Sequence, residues 1–178
     1  MKHLLIAALL LCCSTAFSED GYRLWLRYDK VQDAKLLKAY KSRIKNIHVP
    51  GNSPTAEIIK KELALALNGL LDKDIPFTDK IASGTVSVRV GPSSSIEESY
   101  QITTTKNGSI DIVGADWPGA LYGVFHFLRL LQTNTDIGNL NISEYPKIKK
   151  RILNHWDNLD RTIERGYAGF SIWDWHRL

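Results

Sequence analysis

The chain has 178 residues and a formal net charge of +4, and 44% of its residues are hydrophobic, as in an ordinary globular protein. This length suggests one domain, with a piece of another. The modest charge excludes the strongly basic stripe of a typical nucleic-acid-binding protein. The densest basic group, Lys147 to Arg151, is typical of a solvated linker.

The first 18 residues have the layout of a secretory signal peptide. Lys2 and His3 precede an apolar run from Leu4 to Leu11, and small residues follow it. This order of basic, apolar and small residues predicts export, with cleavage after Ser18. The apolar run is too short for a membrane span, which needs about 20 residues. Cleavage takes one positive charge, that of Lys2, from +4 and leaves a mature net charge of +3.

Both cysteines, Cys12 and Cys13, lie in this leading segment, so the mature chain is expected to have none. A thiol nucleophile and a cysteine-ligated metal are thereby excluded, and the core must hold without disulfides. A lipoprotein anchor at either cysteine is disfavoured, because Leu10 and Leu11 stand where a lipidation signal has a small residue. The sequence therefore predicts a secreted or periplasmic protein.

The first half of the mature part begins with a strand pattern and continues with two helix patterns. Apolar and polar residues alternate over residues 21–28, which predicts a strand. Helical spacing over 33–44 predicts a short helix. A turn-rich break over 49–54 then precedes a longer amphipathic helix over 55–71, with Thr55 as its cap.

The next part is rich in β-branched residues and alternates with a period of two. Strands are predicted over residues 84–91 and 99–105. Asn107-Gly108 is a strong hairpin signal, and it predicts that the segment 109–114 returns as an antiparallel strand.

A second amphipathic helix is predicted over residues 119–132, with Asp116 as its cap and Pro118 in its first turn. Its apolar stripe consists of Leu121, Val124, Phe125, Leu128 and Leu131. Strands that share a sheet with helices on one face form an α+β two-layer sandwich. We expect this domain to span residues 19–145, and the polar stretch 133–150 to be a linker into a second region, 146–178.

The second region concentrates aromatic and charged residues. Three of the five tryptophans, Trp156, Trp173 and Trp175, lie there. Indole faces stack on the C–H faces of sugar rings, and arginine binds a carboxylate in a bidentate fork. Such a composition suits a site for an acidic sugar, but several tryptophans in one segment are more often packed in a core or between domains, and both interpretations stay open at this point. His155, Asp157, Asn158, Asp160, Arg161 and Glu164 crowd beside Trp156 within ten positions.

Motifs for other chemistries are missing. The chain has neither a P-loop nor a glycine-rich dinucleotide fingerprint. Its histidines lack the spacing of a zinc site, so neither a metal nor an organic cofactor is predicted. His126 lies in the second predicted helix, where a packed or capped side chain is more usual than a ligand.

The run from Asn154 to Gly169, NHWDNLDRTIERGYAG, resembles the start of the catalytic domain of family-67 glycoside hydrolases, the xylan α-glucuronidases. The segments GYRLWLRY from Gly21 and DWPGALYGVFHFLR from Asp116 fit the same family, so the resemblance covers nearly the whole mature chain. It implies an N-terminal domain like the accessory domain of β-hexosaminidases, followed by a (β/α)8 barrel.

The resemblance also implies a function. Family members remove 4-O-methylglucuronic acid from xylooligosaccharides with inversion, and they commonly form dimers through later regions. Residues 151–156 would be the first barrel strand, with Trp156 at its C-terminal end, where barrel active sites lie. The resemblance thus implies that Trp156 lines the glucuronic-acid pocket. His155, Asp157, Asn158 and Arg161 complete the candidate substrate-binding residues, either in contact with the sugar or behind the residues that are. The family's acid and base carboxylates come from later strands, so no catalytic residue is assigned here, and this chain alone is expected to be inactive.

Two other interpretations remain open. In the first interpretation, the domain over residues 19–145 is a non-catalytic carbohydrate-binding or interaction module, with Trp25 and Trp117 as the available aromatic platforms. Packing beside the start of a helix is the more usual role for Trp117. The second interpretation is a different barrel glycosidase with the same kind of accessory domain, such as a hexosaminidase, which the HWDN segment argues against.

Overall fold

A computed structural model describes Arg23, residues 26–92 and residues 95–152 of the chain. The predicted signal peptide, Trp25 and the five candidate substrate-binding residues lie outside the described residues. The helices in chain order are α1 Ala34–Arg43, α2 Pro54–Leu71 and α3 Trp117–Gln132. The strands are β1 Asn46–His48, β2 Thr85–Val90, β3 Tyr100–Thr104, β4 Ile110–Gly114 and β5 Asn141–Glu144.

The five strands form one mixed sheet in the order β1-β2-β4-β3-β5. β2 is parallel to β1 and β4, whereas β3 is antiparallel to β4 and β5. Because successive side chains point to opposite faces, the register brings Val88, Ile112 and Ile102 together on one face, where all three are fully buried. That face is the floor of the hydrophobic core.

Helix α3 covers this floor by packing against β2, β3 and β4, and α2 packs beside α3. The apolar residues of both helices recur at helical spacing, so each helix buries one stripe. The buried residues of α2 are Ala56, Ile59, Leu63, Ala66, Leu67, Leu70 and Leu71. This α+β arrangement agrees with the fold class that the sequence predicts.

The helix caps follow the sequence signals with one correction. Asp33 caps α1, and Asp116 caps α3 by accepting a hydrogen bond of 2.7 Å from the backbone N–H of Gly119. At α2 the predicted cap, Thr55, is wrong: Ser53 is the cap, and its Oγ accepts from the N–H of Ala56 at 3.1 Å. The helix begins one residue earlier because proline at position 54 suits its first turn.

The strand predicted over residues 21–28 is wrong for the residues that the structure describes. The N–H of Leu26 donates to the carbonyl of Arg23 at 2.8 Å, which closes a turn, and Tyr28 has a positive φ of 54°. Leu26 and Tyr28 pack against the core instead of joining the sheet. Tyr28 is buried and its hydroxyl bonds to the Glu62 carboxylate on α2.

The structure also has two strands that the sequence did not indicate. β1 has three residues and lies just before the predicted turn over 49–54. β5 has four residues and lies within the predicted linker 133–150, where it pairs with β3. Both are edge strands, too short to show a period of two in the sequence. The remaining strands, β2, β3 and β4, fall inside their predicted ranges.

Contacts between residues divide the chain into two compact units, with the division after Tyr145. The first unit contains the complete sheet, since β5 ends at Glu144. Among the described residues, none of the helices is both long and apolar enough to cross a membrane.

Candidate functional site

Of the aromatic platforms suggested by the sequence, the structure describes Trp117. The indole lies directly over Gly51 in the turn before α2: a Cβ added to Gly51 would come within 2.9 Å of its Cζ2 atom. Trp117 is half-buried and packs against the core. Its position therefore favours packing over sugar binding.

The outward side of α3 carries an aromatic groove of about 470 Å³. Among the described residues, Leu26 and Tyr100 line the groove from outside the helix. The residues that α3 contributes are Tyr122, Phe125, His126, Arg129 and Gln132. We call these seven residues the α3 groove.

The sequence pattern did not identify this groove. It assigned Phe125 to the buried stripe of the helix, but Phe125 is only half-buried, and Phe127 is fully buried in its place. The sequence feature that could have revealed the groove is the spacing of Tyr122, Phe125 and Arg129, which lie three and four residues apart and so share a helix face. His126, predicted to be packed or capped, lies in the groove and bonds to Tyr100.

Tyr100 and His126 form the rigid wall of the α3 groove. The Tyr100 hydroxyl and Nδ1 of His126 share a hydrogen bond of 2.9 Å. Their rings meet edge to face, with centroids 5.8 Å apart and an interplanar angle of 88°. Tyr100 lies close to the helix because residue 123 is glycine: a Cβ there would come within 3.2 Å of the tyrosine ring.

Burial sets the protonation of this pair. It lowers the pKa of His126, and the neighbouring Arg129 lowers it further, with Glu144 acting in the opposite direction. Burial also raises the pKa of Tyr100, and Glu144 contributes to that increase. Desolvation disfavours the charged form of each group. The wall therefore presents neutral hydrogen-bonding groups at neutral pH, beside the exposed guanidinium of Arg129.

A second pocket, of about 370 Å³, lies where residues 27–32 cross the end of α2. Its lining includes Tyr28, whose pKa is raised chiefly by burial and then by the hydrogen bond to Glu62. The carbonyl oxygen of Tyr28 lies 2.5 Å from where a Cβ on Gly69 would stand, so the crossing requires glycine. These contacts attach the leading segment to α2, and we assign this region a structural role.

The sheet face opposite the helices is polar. The register brings Ser87, Asp111 and Thr103 together on this face. Asp111 forms an ion pair of 2.9 Å with Arg89. Within the described residues, Ser87 Oγ and Asp111 Oδ1 are buried without a hydrogen-bond partner, as is common where a polar group bonds to ordered water.

Metal chemistry has no support from the described part of the chain, where no group of three or more His, Cys, Asp or Glu side chains could hold an ion. The α3 groove combines aromatic faces, neutral hydrogen-bonding groups and one exposed cation. That combination is the chemistry of a binding surface.

Comparison with known proteins gives two adjoining family matches. The model described as the glycosyl hydrolase family 67 N-terminus matches residues 24–127, and the model of the family 67 middle domain matches residues 130–178. The structural division after Tyr145 falls later than the division between these models, because β5 pairs with β3.

Individual relatives of the chain are named as α-glucuronidases. The chain is 32% identical to the probable α-glucuronidase A of Aspergillus terreus, over 91% of this chain and 21% of that protein. It is 31% identical to α-glucuronidase A of Emericella nidulans, over 98% and 23%. It is 28% identical to the α-glucuronidase of Hypocrea jecorina, over 94% and 23%. The chain thus spans about a fifth of the length of these relatives.

Among solved structures, a GH138 enzyme targeting pectin rhamnogalacturonan II is similar over 58% of this chain and 15% of its own, with a TM-score of 0.46 and 16% identity.

Proposed function

Because this chain belongs to glycosyl hydrolase family 67, we propose that it is the N-terminal portion of an α-glucuronidase. The complete enzyme would hydrolyse the α-1,2 link between (4-O-methyl)glucuronic acid and xylooligosaccharides during xylan breakdown. The observation that carries this proposal is the pair of adjoining family matches, supported by relatives named α-glucuronidase over nine-tenths or more of the chain.

In this proposal residues 19–145 form an accessory domain of the kind found in β-hexosaminidases. The mixed sheet with α3 on one face supports it. Residues 146–178 are the linker and the beginning of a (β/α)8 barrel, whose first strand spans residues 151–156. Barrel enzymes place their active sites at the C-terminal ends of the strands, so this strand would deliver Trp156 and its neighbours to the substrate.

The proposed substrate contacts follow from side-chain chemistry. Trp156 would stack on the glucuronic acid ring, because an indole offers a flat apolar face and a hydrogen-bonding edge. Arg161 would bind the uronic carboxylate with its planar fork of donors. His155, Asp157 and Asn158 would bond to the sugar hydroxyls or orient these two residues.

Hydrolysis with inversion needs one carboxylic acid to protonate the leaving oxygen and one carboxylate to activate water on the opposite side of the sugar. In this family these groups come from later barrel strands, and we assign none to this chain. The proposed enzyme uses neither metal nor organic cofactor. We propose that it is exported, with the signal peptide removed after Ser18, and that dimer formation, if present, involves later regions.

The test is to express the complete reading frame and to follow release of 4-O-methylglucuronic acid from aldotetraouronic acid by proton NMR. We expect the β-anomer to appear first, as inversion requires. Trp156→Ala should lower kcat/KM by about tenfold or more, the loss expected for one aromatic contact and its buried area. Trp156→Phe should recover part of it, because a flat ring remains.

Two results would count against the proposal. A complete protein that releases no glucuronic acid would refute the activity, and unchanged kinetics in Trp156→Ala would refute the assigned contact. The alternative of a binding module built on Trp117 loses support, since that indole packs over Gly51.

A further inference from the structure

We propose that the α3 groove is a second carbohydrate site, which binds a short acidic xylooligosaccharide through a pyranose ring stacked on Tyr122 and a uronic carboxylate paired with Arg129. This inference rests on the proposed function for its ligand class. The groove belongs to the first compact unit, whereas the proposed substrate contacts belong to the second.

The first argument is size and lining. The groove encloses about 470 Å³, within the range of roughly 300–1,000 Å³ for small-ligand sites. Its lining is mostly apolar, with a few polar groups among aromatic rings. A pyranose ring needs this mixture, because its axial C–H groups form a flat apolar face while its hydroxyls point outward from the rim.

The second argument is the rigidity of the wall. Tyr100 is fixed on one side by its contact with the helix at Gly123 and on the other by its bond to His126. The inner side of α3 is anchored in the core by Val124, Phe127 and Leu128, all buried. A preformed wall of this kind spends little binding free energy on ordering its side chains.

The third argument is charge. Arg129 is exposed, and in the described part of the chain it takes part in no ion pair. Its guanidinium can therefore pair with a carboxylate without breaking an ion pair among the described residues. Glu144 opposes this attraction, since its negative charge acts on both Tyr100 and His126. Because His126 is neutral, the charge in the groove that would attract an acidic ligand is that of Arg129.

The experiment titrates the 178-residue chain with aldotetraouronic acid, and separately with neutral xylotriose, and follows backbone amides by 15N NMR. We expect saturable shifts over residues 122–132 at millimolar ligand, with the acidic sugar binding about two- to fivefold more tightly, the effect of an exposed ion pair. Arg129→Gln should remove that preference. Tyr122→Ala should weaken both ligands by about two- to tenfold, the value of one stacking contact.

Tyr145→Ala is the matched control, because Tyr145 is an exposed tyrosine outside the groove lining. The absence of saturable shifts would overturn the proposal. So would binding that Tyr122→Ala and Arg129→Gln leave unchanged. A third overturning result is a groove whose amides are protected from exchange in the complete protein, with oligosaccharide adding nothing, which would make it a surface for protein contact.

The two proposals fail separately. Loss of glucuronidase activity in the complete protein, with oligosaccharide still binding at the groove of this chain, refutes only the proposed function. An active complete enzyme whose N-terminal chain shows no binding refutes only the groove.

Discussion

The two faces of the sheet are built from alternate residues of the same strands, yet they are stabilised in different ways. On the face under α3, Ile102, Ile112 and Val88 lie opposite one another and are fully buried. On the other face, at the neighbouring positions, lie Thr103, Asp111 and Ser87. Apolar burial dominates folding energetics, whereas a partly exposed ion pair such as Arg89–Asp111 on the other face contributes little. Stability should therefore depend mainly on the helix-covered face.

The largest expected effect contrasts two adjacent residues of β3. Ile102→Ala should lower the free energy of unfolding by about 3 kcal/mol, because it removes buried methyl groups and leaves a cavity. Thr103→Ala, the matched control one residue along the strand, should cost less than about 1 kcal/mol, the range of strand propensity. Urea denaturation of both variants measures the difference. Equal losses would mean that the polar face is as important as the core.

A second substitution tests how tightly α3 contacts the sheet. Alanine at Gly123 would bring its Cβ within 2.7 Å of Ile112 Cγ2 and 3.2 Å of the Tyr100 ring. Overpacking of this kind costs about 1–3 kcal/mol and should exceed the gain of about 1 kcal/mol that alanine has over glycine in a helix. We expect net destabilisation in thermal unfolding. A rise in Tm would show that the sheet and helix have room to separate.

Substitutions on the polar face should change the free energy of unfolding only slightly, and by an amount that depends on the salt concentration. Arg89→Gln breaks the 2.9 Å ion pair with Asp111, and we expect a loss of about 0.5–1 kcal/mol, as for other partly exposed pairs. The loss should shrink as salt is added, because ions screen exposed charges. Asp111→Asn is the control: it leaves Arg89 in contact with water and should cost less. A loss that high salt does not change would contradict this account.

The core could be predicted from the sequence because its signals are local. Helix α2 repeats apolar residues over five turns, and β2, β3 and β4 alternate over five or six residues. Each pattern has the period of its own element, so the element type follows without knowledge of the fold.

The errors arose where distant contacts decide the outcome. The alternation over residues 21–28 predicts a strand, but Tyr28 is held by Glu62, which lies 34 residues away. Phe125 was assigned to the core because α3 is apolar nearly all round, so its sequence gives two possible buried stripes. The structure buries Phe127 and places Phe125 in the groove.

The two candidate sites show the same limit: local sequence patterns identify neither of them. The α3 groove requires Tyr100 of β3 beside His126 of α3, 26 residues apart, and periodicity along the chain does not contain that pairing. The proposed contacts at residues 155–161 depend instead on a family resemblance, because the spacing of their side chains assigns no roles. Local patterns thus predict the helices and strands, whereas identifying a site requires either the fold or a known relative.

The smallest expected effect is a pH dependence from His126, which joins the helix layer to the sheet through its hydrogen bond to Tyr100. Its folded-state pKa lies below the ordinary value of 6.5, chiefly because burial disfavours the imidazolium. As the pH falls through 6.5, the unfolded chain takes up a proton before the folded chain does. This contribution to stability is therefore complete above that pH and is lost between 6.5 and the lower folded-state pKa.

His126→Gln should remove this loss while keeping a polar side chain beside Tyr100. The measurement compares urea denaturation of the wild type and the variant from about pH 8 to about pH 5, where histidine is the side chain that ordinarily titrates. Tyr100, Arg129 and Glu144 are the charged or titratable groups that act on His126, and the variant leaves all three in place. Parallel pH profiles for the two proteins would show that His126 is as well solvated when folded as when unfolded. In that case the region from which α3 excludes water would not extend as far as the α3 groove.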